Sequence, residues 1–287
     1  MDLAALQIFK AVVEQGGVNR AAAKLHRVPS NVTTRVKQLE EALGTKLFLR
    51  EGRRMTLTGD GELLLAYANQ MLCLAQEAKA ALIDGEPRGR LRLGALESTA
   101  AARLPPLLAT YHGRFPEVQI ELITGTSGAL VERVLRHDVE AAFLAEPFAD
   151  VGLESEVVFV EELVLIAPKT LGGVRNPRDI GARTVIAFAA GCSYRRRLEA
   201  WLGAAQVTPV RVMEFQSYHA IVACVAAGCG IAIVPRSVLA MTNAPGQIKV
   251  VPLPKKIAAA NTHLAWRPGY RSSALEAMRA VVKEKPR

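Results

Sequence analysis

The feature that most constrains this chain is residues 21–43, where two short amphipathic patterns meet at a sharp break. In the second pattern an apolar residue recurs at spacings of four, three and four: Val32, Val36, Leu39 and Leu43. This period predicts a helix with one apolar face. The break ends in Pro29, and proline suits a first helical turn because its missing N–H would have no partner there. The stretch therefore predicts two helices joined by a tight turn.

The face opposite this apolar stripe carries short hydrogen-bonding side chains and cations: Ser30, Asn31, Thr33, Thr34, Arg35 and Lys37. No acidic residue follows Pro29 before Glu40. Side chains of these kinds can bond to phosphates and to base edges in a major groove. We therefore interpret the stretch as a helix-turn-helix whose second helix enters duplex DNA. An ordinary helical hairpin with a solvated polar face is the alternative at this point.

Residues 46–58 predict two short strands around a glycine-centred turn. Three arginines lie at that turn: Arg50, Arg53 and Arg54. A basic wing of this kind, placed beside the helices, could reach a minor groove or the flanking phosphates. Residues 1–58 hold ten basic and five acidic side chains, about half of the chain's formal net charge of +9. This excess favours a polyanionic partner.

Further helices are predicted on both sides of this segment. Residues 3–13 predict a first helix that stops at Gly16, and Asn19 is placed to cap the next one. Residues 60–83 predict one long helix with a recurrent stripe: Leu64, Ala68, Met71, Leu72, Ala75, Ala78 and Leu82. A small domain can hardly bury so long a stripe, which favours pairing with the same helix of a second chain. Packing against its own domain is the alternative. The stretch 84–89, rich in proline and glycine, predicts a domain boundary.

Beyond this boundary, strand and helix patterns alternate. Strands are predicted at 91–96, 118–124, 141–144, 157–166, 185–188, 210–215, 231–234, 249–253 and 262–265. Helices are predicted at 100–115, 128–136, 195–203, 218–228 and 272–284. The order repeats on either side of about residue 162. It predicts an open α/β sheet arranged as two lobes with a cleft between them.

A set of anchors at fixed spacing resembles the winged helix-turn-helix of LysR-type transcriptional regulators: Phe9, Glu14-Gln15-Gly16, Ala21-Ala22, Leu25, Leu39-Glu40, Leu43-Gly44, Leu47-Phe48, Arg50, Leu57-Thr58 and Gly61. The long helix and the two lobes continue the resemblance over essentially the whole chain. It implies a regulator that binds double-stranded promoter DNA as a dimer or tetramer and holds a small-molecule effector between its lobes. It implies neither an enzyme nor a cofactor.

The resemblance implies an α/β multidomain architecture. Its parts would be a winged helix-turn-helix at 1–58, a dimerisation helix and hinge at 59–89, and an effector domain at 90–287. The effector domain would resemble periplasmic binding proteins, with lobe I at 90–161 and 267–287 and lobe II at 162–266.

One position departs from the family pattern. Many members carry a base-reading glutamine where this chain has Pro29, which has no side-chain donor. Base readout is therefore expected to shift to the polar side chains that follow: Ser30, Asn31, Thr33, Thr34 and Arg35. An asparagine can pair with adenine and an arginine with guanine, which favours Asn31 and Arg35. The cations expected to hold phosphates are Lys37, Arg50, Arg53 and Arg54.

Four loops that follow predicted strands carry the candidate effector-binding residues: Glu97-Ser98-Thr99, Gly125-Thr126-Ser127, Cys192-Ser193-Tyr194 and Ser217-Tyr218. Hydroxyls and backbone N–H groups at helix starts suit a carboxylate or another small anion. Ordinary helix caps would look the same, but the resemblance implies that all four loops line one interlobe cleft. Glu97 would repel an anion. It suggests an amino-acid-like ligand whose amine meets this acid and whose carboxylate meets Ser98 and Thr99.

The cysteines raise a redox alternative. The four, Cys73, Cys192, Cys224 and Cys229, form no CxxC pair and have no nearby histidine set, so we expect reduced thiols and no metal site. Peroxide-sensing relatives place a reactive cysteine in the loop that here holds Cys192, and flanking arginines would lower a thiol pKa. Those sensors also need a second thiol nearby, and none follows in that loop. We therefore rank a thiol-based redox switch as the second hypothesis, behind effector binding.

Two other classes stay open from the residues alone. A two-lobed enzyme or binding protein would share the cleft, but the chain has no nucleophile elbow, phosphate loop, dinucleotide fingerprint or zinc-protease motif. An architectural DNA protein without an effector is the other class. The start of the chain shows no signal-peptide pattern, and no apolar run is long enough to span a bilayer, so we expect a cytoplasmic location without membrane contact.

Overall fold

The computed structural model describes residues 1–51, 54–81, 86–149, 151–174, 176–180, 183–242 and 246–284. They form two compact units, an N-terminal unit that ends at about residue 84 and a C-terminal unit that contains most of the residues after it. Among the described residues, no helix combines the length and the apolar character that crossing a membrane requires.

The described part of the N-terminal unit contains four helices and a two-stranded sheet: α1 (Leu3–Gln15), α2 (Val18–Lys24), α3 (Pro29–Leu43), β1 (Phe48–Glu51), β2 (Arg54–Leu57) and α4 (Gly59–Ala81). The predicted helix-turn-helix and wing are thereby confirmed. Pro29 is in the first turn of α3. Helices α1 and α3 both end at a glycine with left-handed backbone, Gly16 at φ 63° and Gly44 at φ 69°. Glycine adopts this conformation without steric cost, and it lets the cap N–H bond to the last carbonyls of the helix.

The expected cap at Asn19 is wrong. Helix α2 begins at Val18, so Asn19 lies inside its first turn, and Gly17 takes the cap position without a side-chain bond. The reason is the short connection, because the chain leaves α1 through two glycines and Val18 packs directly against the core. The centre of that core includes Phe9 and Phe48, whose rings lie 5.4 Å apart.

Helix α4 differs from the prediction in which face it buries. Three residues of the predicted stripe pack on their own unit: Ala68 and Leu72 are buried and Leu64 is partly buried in the same core. A second row at spacings of four, four and three is exposed, and it includes Met71 of the predicted stripe: Leu63, Tyr67, Met71 and Leu74. Leu82 of the predicted stripe lies outside the described residues. The helix therefore has two apolar faces, one packed and one exposed.

The C-terminal unit alternates strands and helices, as predicted. Its strands are β3 (Gly89–Ala95), β4 (Val118–Thr124), β5 (Ala141–Ala145), β6 (Glu154–Pro168), β7 (Thr184–Ala187), β8 (Arg211–Glu214), β9 (Ala232–Pro235), β10 (Ile248–Pro252) and β11 (Ala259–Trp266). Its helices are α5 (Glu97–Ala102), α6 (Leu104–Arg114), α7 (Ser127–Leu135), α8 (Ser193–Ala204), α9 (Tyr218–Ala226), α10 (Arg236–Leu239), α11 (Lys255–Ala258) and α12 (Ser273–Glu284), with a 3₁₀ turn at Pro177–Ile180.

The single helix predicted at 100–115 is two helices, α5 and α6, which meet at Arg103. The sequence holds the cause, because two prolines, Pro105 and Pro106, follow Leu104 in the first turn of α6. Proline rings clash with the preceding turn and lack an N–H, so a helix cannot continue through them undisturbed.

The strands form a seven-stranded sheet in the order β10-β6-β11-β5-β3-β4, with β9 also paired to β6, and a separate parallel pair β7-β8. Two long strands are shared between the lobes. The first part of β6 pairs with β11, and its last part pairs with β9 and β10. One apolar core surrounds β3, β4 and β5, and another surrounds β7, β9 and β10.

The predicted lobe boundary at 266 needs correction for β11. From Thr262 to Trp266 this strand is hydrogen-bonded to β5 of the first lobe, with Trp266 opposite Ala141. Leu264 and Trp266 are also buried in the first lobe's core. Burial of these side chains, rather than sequence order, therefore assigns most of the strand to lobe I.

Candidate functional site

The recognition helix α3 presents its polar residues away from the core. Val32, Val36 and Leu39 are buried, and the row opposite them holds Ser30, Thr34 and Lys37, at spacings of four and three residues. All three of these side chains are exposed. Asn31 and Arg35, four residues apart, are exposed on the flank of this row.

Two of the predicted contact residues are partly engaged within the unit. The hydroxyl of Thr33 donates to the carbonyl of Pro29 at 3.0 Å, and the side chain is half-buried beside the wing. Arg27 donates to Asn31 Oδ1 at 3.5 Å, a long contact that involves the amide oxygen and not the amide nitrogen. Arg53 and the side chains of Arg50 and Arg54 lie outside the described residues. Their predicted role rests on the sequence.

A buried carboxylate joins α3 to the wing. Glu40 accepts hydrogen bonds from the backbone N–H groups of Leu47 at 2.9 Å and Phe48 at 3.4 Å, and from Lys46 Nζ at 3.0 Å. Burial alone would raise the pKa of Glu40, but these three donors outweigh it and hold the pKa below its ordinary value. The ionised side chain therefore fixes where the wing begins relative to the recognition helix.

In the C-terminal unit, a narrow cavity lies where loops from both lobes meet. Its lining residues are Leu96, Glu97, Gly125, Thr126, Ala145, Phe188, Cys192, Ser193, Tyr194 and Tyr218. The structure thus brings together at least one residue from each of the four predicted loops. Its empty volume is about 250 Å³ with the open mouth included, and the enclosed part is close to the space that one water needs. A larger ligand therefore requires the lobes or the lining rings to move.

Four of the predicted residues do not line the cavity. Ser98 and Thr99 are buried, and Ser217 is half-buried at the start of α9 without a capping bond from its side chain. Ser127 is fully buried and exchanges hydrogen bonds with the backbone of Ala145. These side chains support the wall of the cavity rather than form its surface.

A serine pair ties the two lobes together at this wall. Ser193, at the start of α8 in lobe II, donates from its hydroxyl to the carbonyl of Ala145 at 2.6 Å and lies 2.8 Å from the hydroxyl of Ser127 in lobe I. Both serines are buried. The hydroxyls that the sequence suggested as ligand donors are therefore used largely within the protein.

Glu97 is the acid of this cavity. It lies in the first turn of α5 and accepts a hydrogen bond from the backbone N–H of Tyr218, while its Oε2 is buried without a hydrogen-bond partner among the described residues. Burial raises the pKa of Glu97 above its ordinary value, and the Tyr218 N–H and the nearby exposed His219 lower it by less.

Buried hydroxyls surround the inner end of the cavity. The Oγ of Ser98, the OH of Tyr194 and the Oγ1 of Thr262 are all buried. Ser98 and Thr262 lie close enough to Tyr194 to lower its pKa slightly, but burial dominates and raises it. Burial also raises the pKa of Tyr218. Both tyrosines are therefore neutral hydrogen-bonding groups.

Sequence reasoning missed four residues here: Leu96, Ala145, Phe188 and Thr262. Phe188 directly follows a strand, and its ring lies 4.7 Å from that of Tyr218, which makes an aromatic wall. Leu96 and Ala145 lie at the ends of strands β3 and β5, the edge at which ligands meet open α/β sheets. Their place at the ends of strands could therefore have predicted that Leu96 and Ala145 line the cavity. Thr262 lies within β11, and nothing in its local sequence marks it.

The arginines after Cys192 do not line the cavity. Arg195 binds Glu199 at 2.7 Å and the carbonyl of Phe188 at 3.1 Å, and Arg197 donates to the carbonyls of Glu146 and Ala259. These groups fasten α8 to its surroundings. They are not placed to neutralise an acidic ligand.

The side chain of Cys192 is buried in the protein and barely accessible to solvent. It is 6% exposed, and burial raises the pKa of its thiol despite the opposing backbone N–H groups of Arg195 and Tyr194. A reactive thiol needs a lowered pKa and access to solvent. The geometry therefore disfavours the redox reading. Among the described residues, no cluster of His, Cys, Asp and Glu is arranged to hold a metal ion.

A winged helix-turn-helix joined to a two-lobed α/β unit with a cavity at the lobe interface defines a class of DNA-binding, effector-responsive transcriptional regulators. Two family models match: "LysR substrate binding domain" over residues 84–287 and "Bacterial regulatory helix-turn-helix protein, lysR family" over residues 3–62. The chain belongs to the LysR family.

Relatives and solved structures agree with this assignment. The chain is 40% identical to the uncharacterized regulator YusT of Bacillus subtilis over 96% of this chain and 93% of that protein. It is 37% identical to the regulator GltR of the same organism, over 87% and 84%. Full-length OxyR from Pseudomonas aeruginosa matches with a TM-score of 0.75 and 23% identity, covering 99% and 95%. CbnR in complex with its target DNA matches with a TM-score of 0.71 and 24% identity, covering 99% of both chains.

LysR-type regulators bind DNA through the helix-turn-helix and a small molecule through the substrate-binding domain, and this chain is one of them. The family consists of transcriptional regulators rather than enzymes, so the hypothesis of a two-lobed enzyme is wrong.

Proposed function

We propose that this regulator places α3 in the major groove of its promoter, and that a small polar metabolite in the interlobe cavity controls promoter binding or activation. The observation that carries the DNA part is the exposed row on α3, which has polar and basic side chains and no acid between Pro29 and Glu40. Ser30 and Thr34 lie at the centre of that row, with Asn31 and Arg35 beside it. We infer that these four read bases and that Lys37 holds a phosphate.

The wing arginines complete the interface in this proposal. Arg50, Arg53 and Arg54 would bind flanking phosphates or a minor groove. We place the regulator in the cytoplasm, where its promoter lies. We take residues 1–58 as the DNA-binding domain, 59–89 as the linker helix and hinge, and 90–287 as the effector domain, with most of β11 assigned to lobe I.

The exposed row of α4 supports self-association through that helix. Leu63, Tyr67 and Leu74 are 60%, 52% and 61% exposed, although all three are large and apolar. Pairing of this row with its copy would remove apolar area from water and space two recognition helices for a two-fold site.

The DNA part is tested by titrating the full chain with duplex DNA from upstream of its own gene at several salt concentrations. Lys37→Ala should weaken binding to any duplex and reduce the magnitude of the salt slope by about one, because one phosphate is no longer neutralised. Arg35→Ala should cost about 1–3 kcal/mol of binding to this sequence and relax its specificity, because a base contact is lost. Lys169→Ala is the control, because it removes the same charge from an exposed position in the C-terminal unit. If both substitutions leave affinity and slope as in the control, α3 does not carry the contact.

A further inference from the structure

The interlobe cavity has an unusual charge balance for a site expected to hold a metabolite acid. Among the described residues that line it, Glu97 is the one acid, and there is no lysine or arginine. The neighbouring arginines are committed to Glu199, Glu214 and backbone carbonyls. A ligand carboxylate at the inner end would therefore meet a negative charge without a compensating side-chain cation.

One polar atom at the same end of the cavity lacks a partner. Glu97 Oε2 is buried and accepts no hydrogen bond from the described residues. The hydroxyls of Ser98, Tyr194 and Thr262 are also buried, but Ser98 and Thr262 lie close enough to Tyr194 for the three to bond to one another. Buried polar groups are nearly always hydrogen-bonded, so the Glu97 carboxylate is the group that indicates a missing partner.

The chemistry of these atoms selects the partner. An ionised carboxylate can only accept hydrogen bonds, whereas each hydroxyl can accept or donate. A protonated primary amine has three hydrogen-bond donors and no acceptor. Its positive charge would balance the negative charge of Glu97, which no lining side chain does. A single water could fill the space but would leave the carboxylate charge uncompensated.

We propose that the cavity recognises its ligand through a protonated primary amine, with Glu97 as the counter-ion and the Tyr194 hydroxyl as a further acceptor. This inference rests on the proposed function in taking the cavity as the effector site. It also changes the expected role of Ser98 and Thr99: their side chains are buried behind the surface, so they do not receive a ligand carboxylate.

The test uses thermal unfolding of the full chain with small probes that differ in one group. Propylamine, 1,4-diaminobutane and alanine carry an amine. Propanol, 1,4-butanediol and lactate replace that amine with a hydroxyl, and propionate carries the acid alone. A ligand that binds only the folded chain raises its melting temperature. We expect at least one amine to raise it and the matched alcohol and propionate to leave it unchanged.

Two variants make the test specific. Glu97→Gln keeps the size of the side chain but removes its charge, and it should weaken the apparent affinity for the stabilising amine by about tenfold or more. Glu117→Gln is the matched control, because Glu117 is an exposed acid in the same unit, and it should bind like the wild-type chain. Tyr194→Phe removes one acceptor and should give a smaller loss.

The inference is overturned if no amine stabilises the wild-type chain, if the alcohols or propionate stabilise it equally, or if Glu97→Gln retains amine binding. DNA titration of the same preparations separates this failure from failure of the proposed function. A chain that binds its upstream DNA but ignores all amines contradicts only the ligand class. A chain that does not bind that DNA contradicts the proposed function whatever the amines do.

Discussion

Removal of the Glu40 carboxylate should loosen the wing while leaving the helices in place. In Glu40→Ala, the N–H of the fully buried Leu47 loses its acceptor. Leaving a buried donor unsatisfied costs about 1–3 kcal/mol. The ion pair with Lys46 adds little, because that side chain is 74% exposed and exposed pairs contribute about 0–1 kcal/mol. We expect a loss of about 2–3 kcal/mol in the stability of this junction.

Hydrogen exchange measures this loss where it occurs. An opening free energy lower by about 2 kcal/mol makes amide exchange in the wing about 30-fold faster if exchange proceeds through local opening. Peptides that cover 44–58 should show this change, and affinity for promoter DNA should fall with it. Glu40→Gln keeps a carbonyl acceptor and should show a smaller effect. Glu41→Ala is the control, since Glu41 is the exposed neighbour on the same helix.

The effect should also depend on pH with a definite sign. The folded-state pKa of Glu40 is lowered, so its contribution is present above the unfolded-state pKa of about 4.3 and is lost as the pH falls through the folded value. The difference between the wild-type chain and Glu40→Ala should therefore shrink below about pH 4. Equal exchange in Glu40→Ala and Glu41→Ala at neutral pH would refute the reasoning.

Three further outcomes follow from the C-terminal unit. Ser193→Ala removes the buried bond to Ala145 and should cost about 1 kcal/mol, seen as a lower melting temperature; an unchanged melting temperature would contradict a lobe-joining role. In the native chain, iodoacetamide should label the exposed Cys229 well before the buried Cys192; equal rates would restore the redox reading. The raised pKa of Glu97 means that its ionised form costs stability as the pH rises through that value. Glu97→Gln should therefore melt higher than the wild-type chain at pH 7 without ligand, with a gap that narrows on acidification, and a lower melting temperature at pH 7 would count against this.

Much of the cavity was predictable because it is built from the starts of helices. Four loops that follow strands place polar residues at helix N-termini, and such loops gather at one edge of an open α/β sheet. What could not be predicted was the direction of each side chain. Ser127 and Ser193 bond across the lobe boundary instead of facing a ligand, and no local pattern distinguishes these two uses of a serine.

The local structure could be predicted from neighbouring residues alone: Pro29 in the first turn of α3, Gly16 and Gly44 at helix ends, and the alternation of strands and helices. These depend on backbone preferences that act within a few residues. Long-range packing settled three further features: which face of α4 is buried, the pairing of β11 with β5 of the first lobe, and the place of the Glu97 carboxylate in a cavity with hydroxyls from three other segments. Those outcomes depend on contacts between residues far apart in the sequence, such as those of α4 with α1 and of His263 with Leu144, so nothing local in the sequence encodes them.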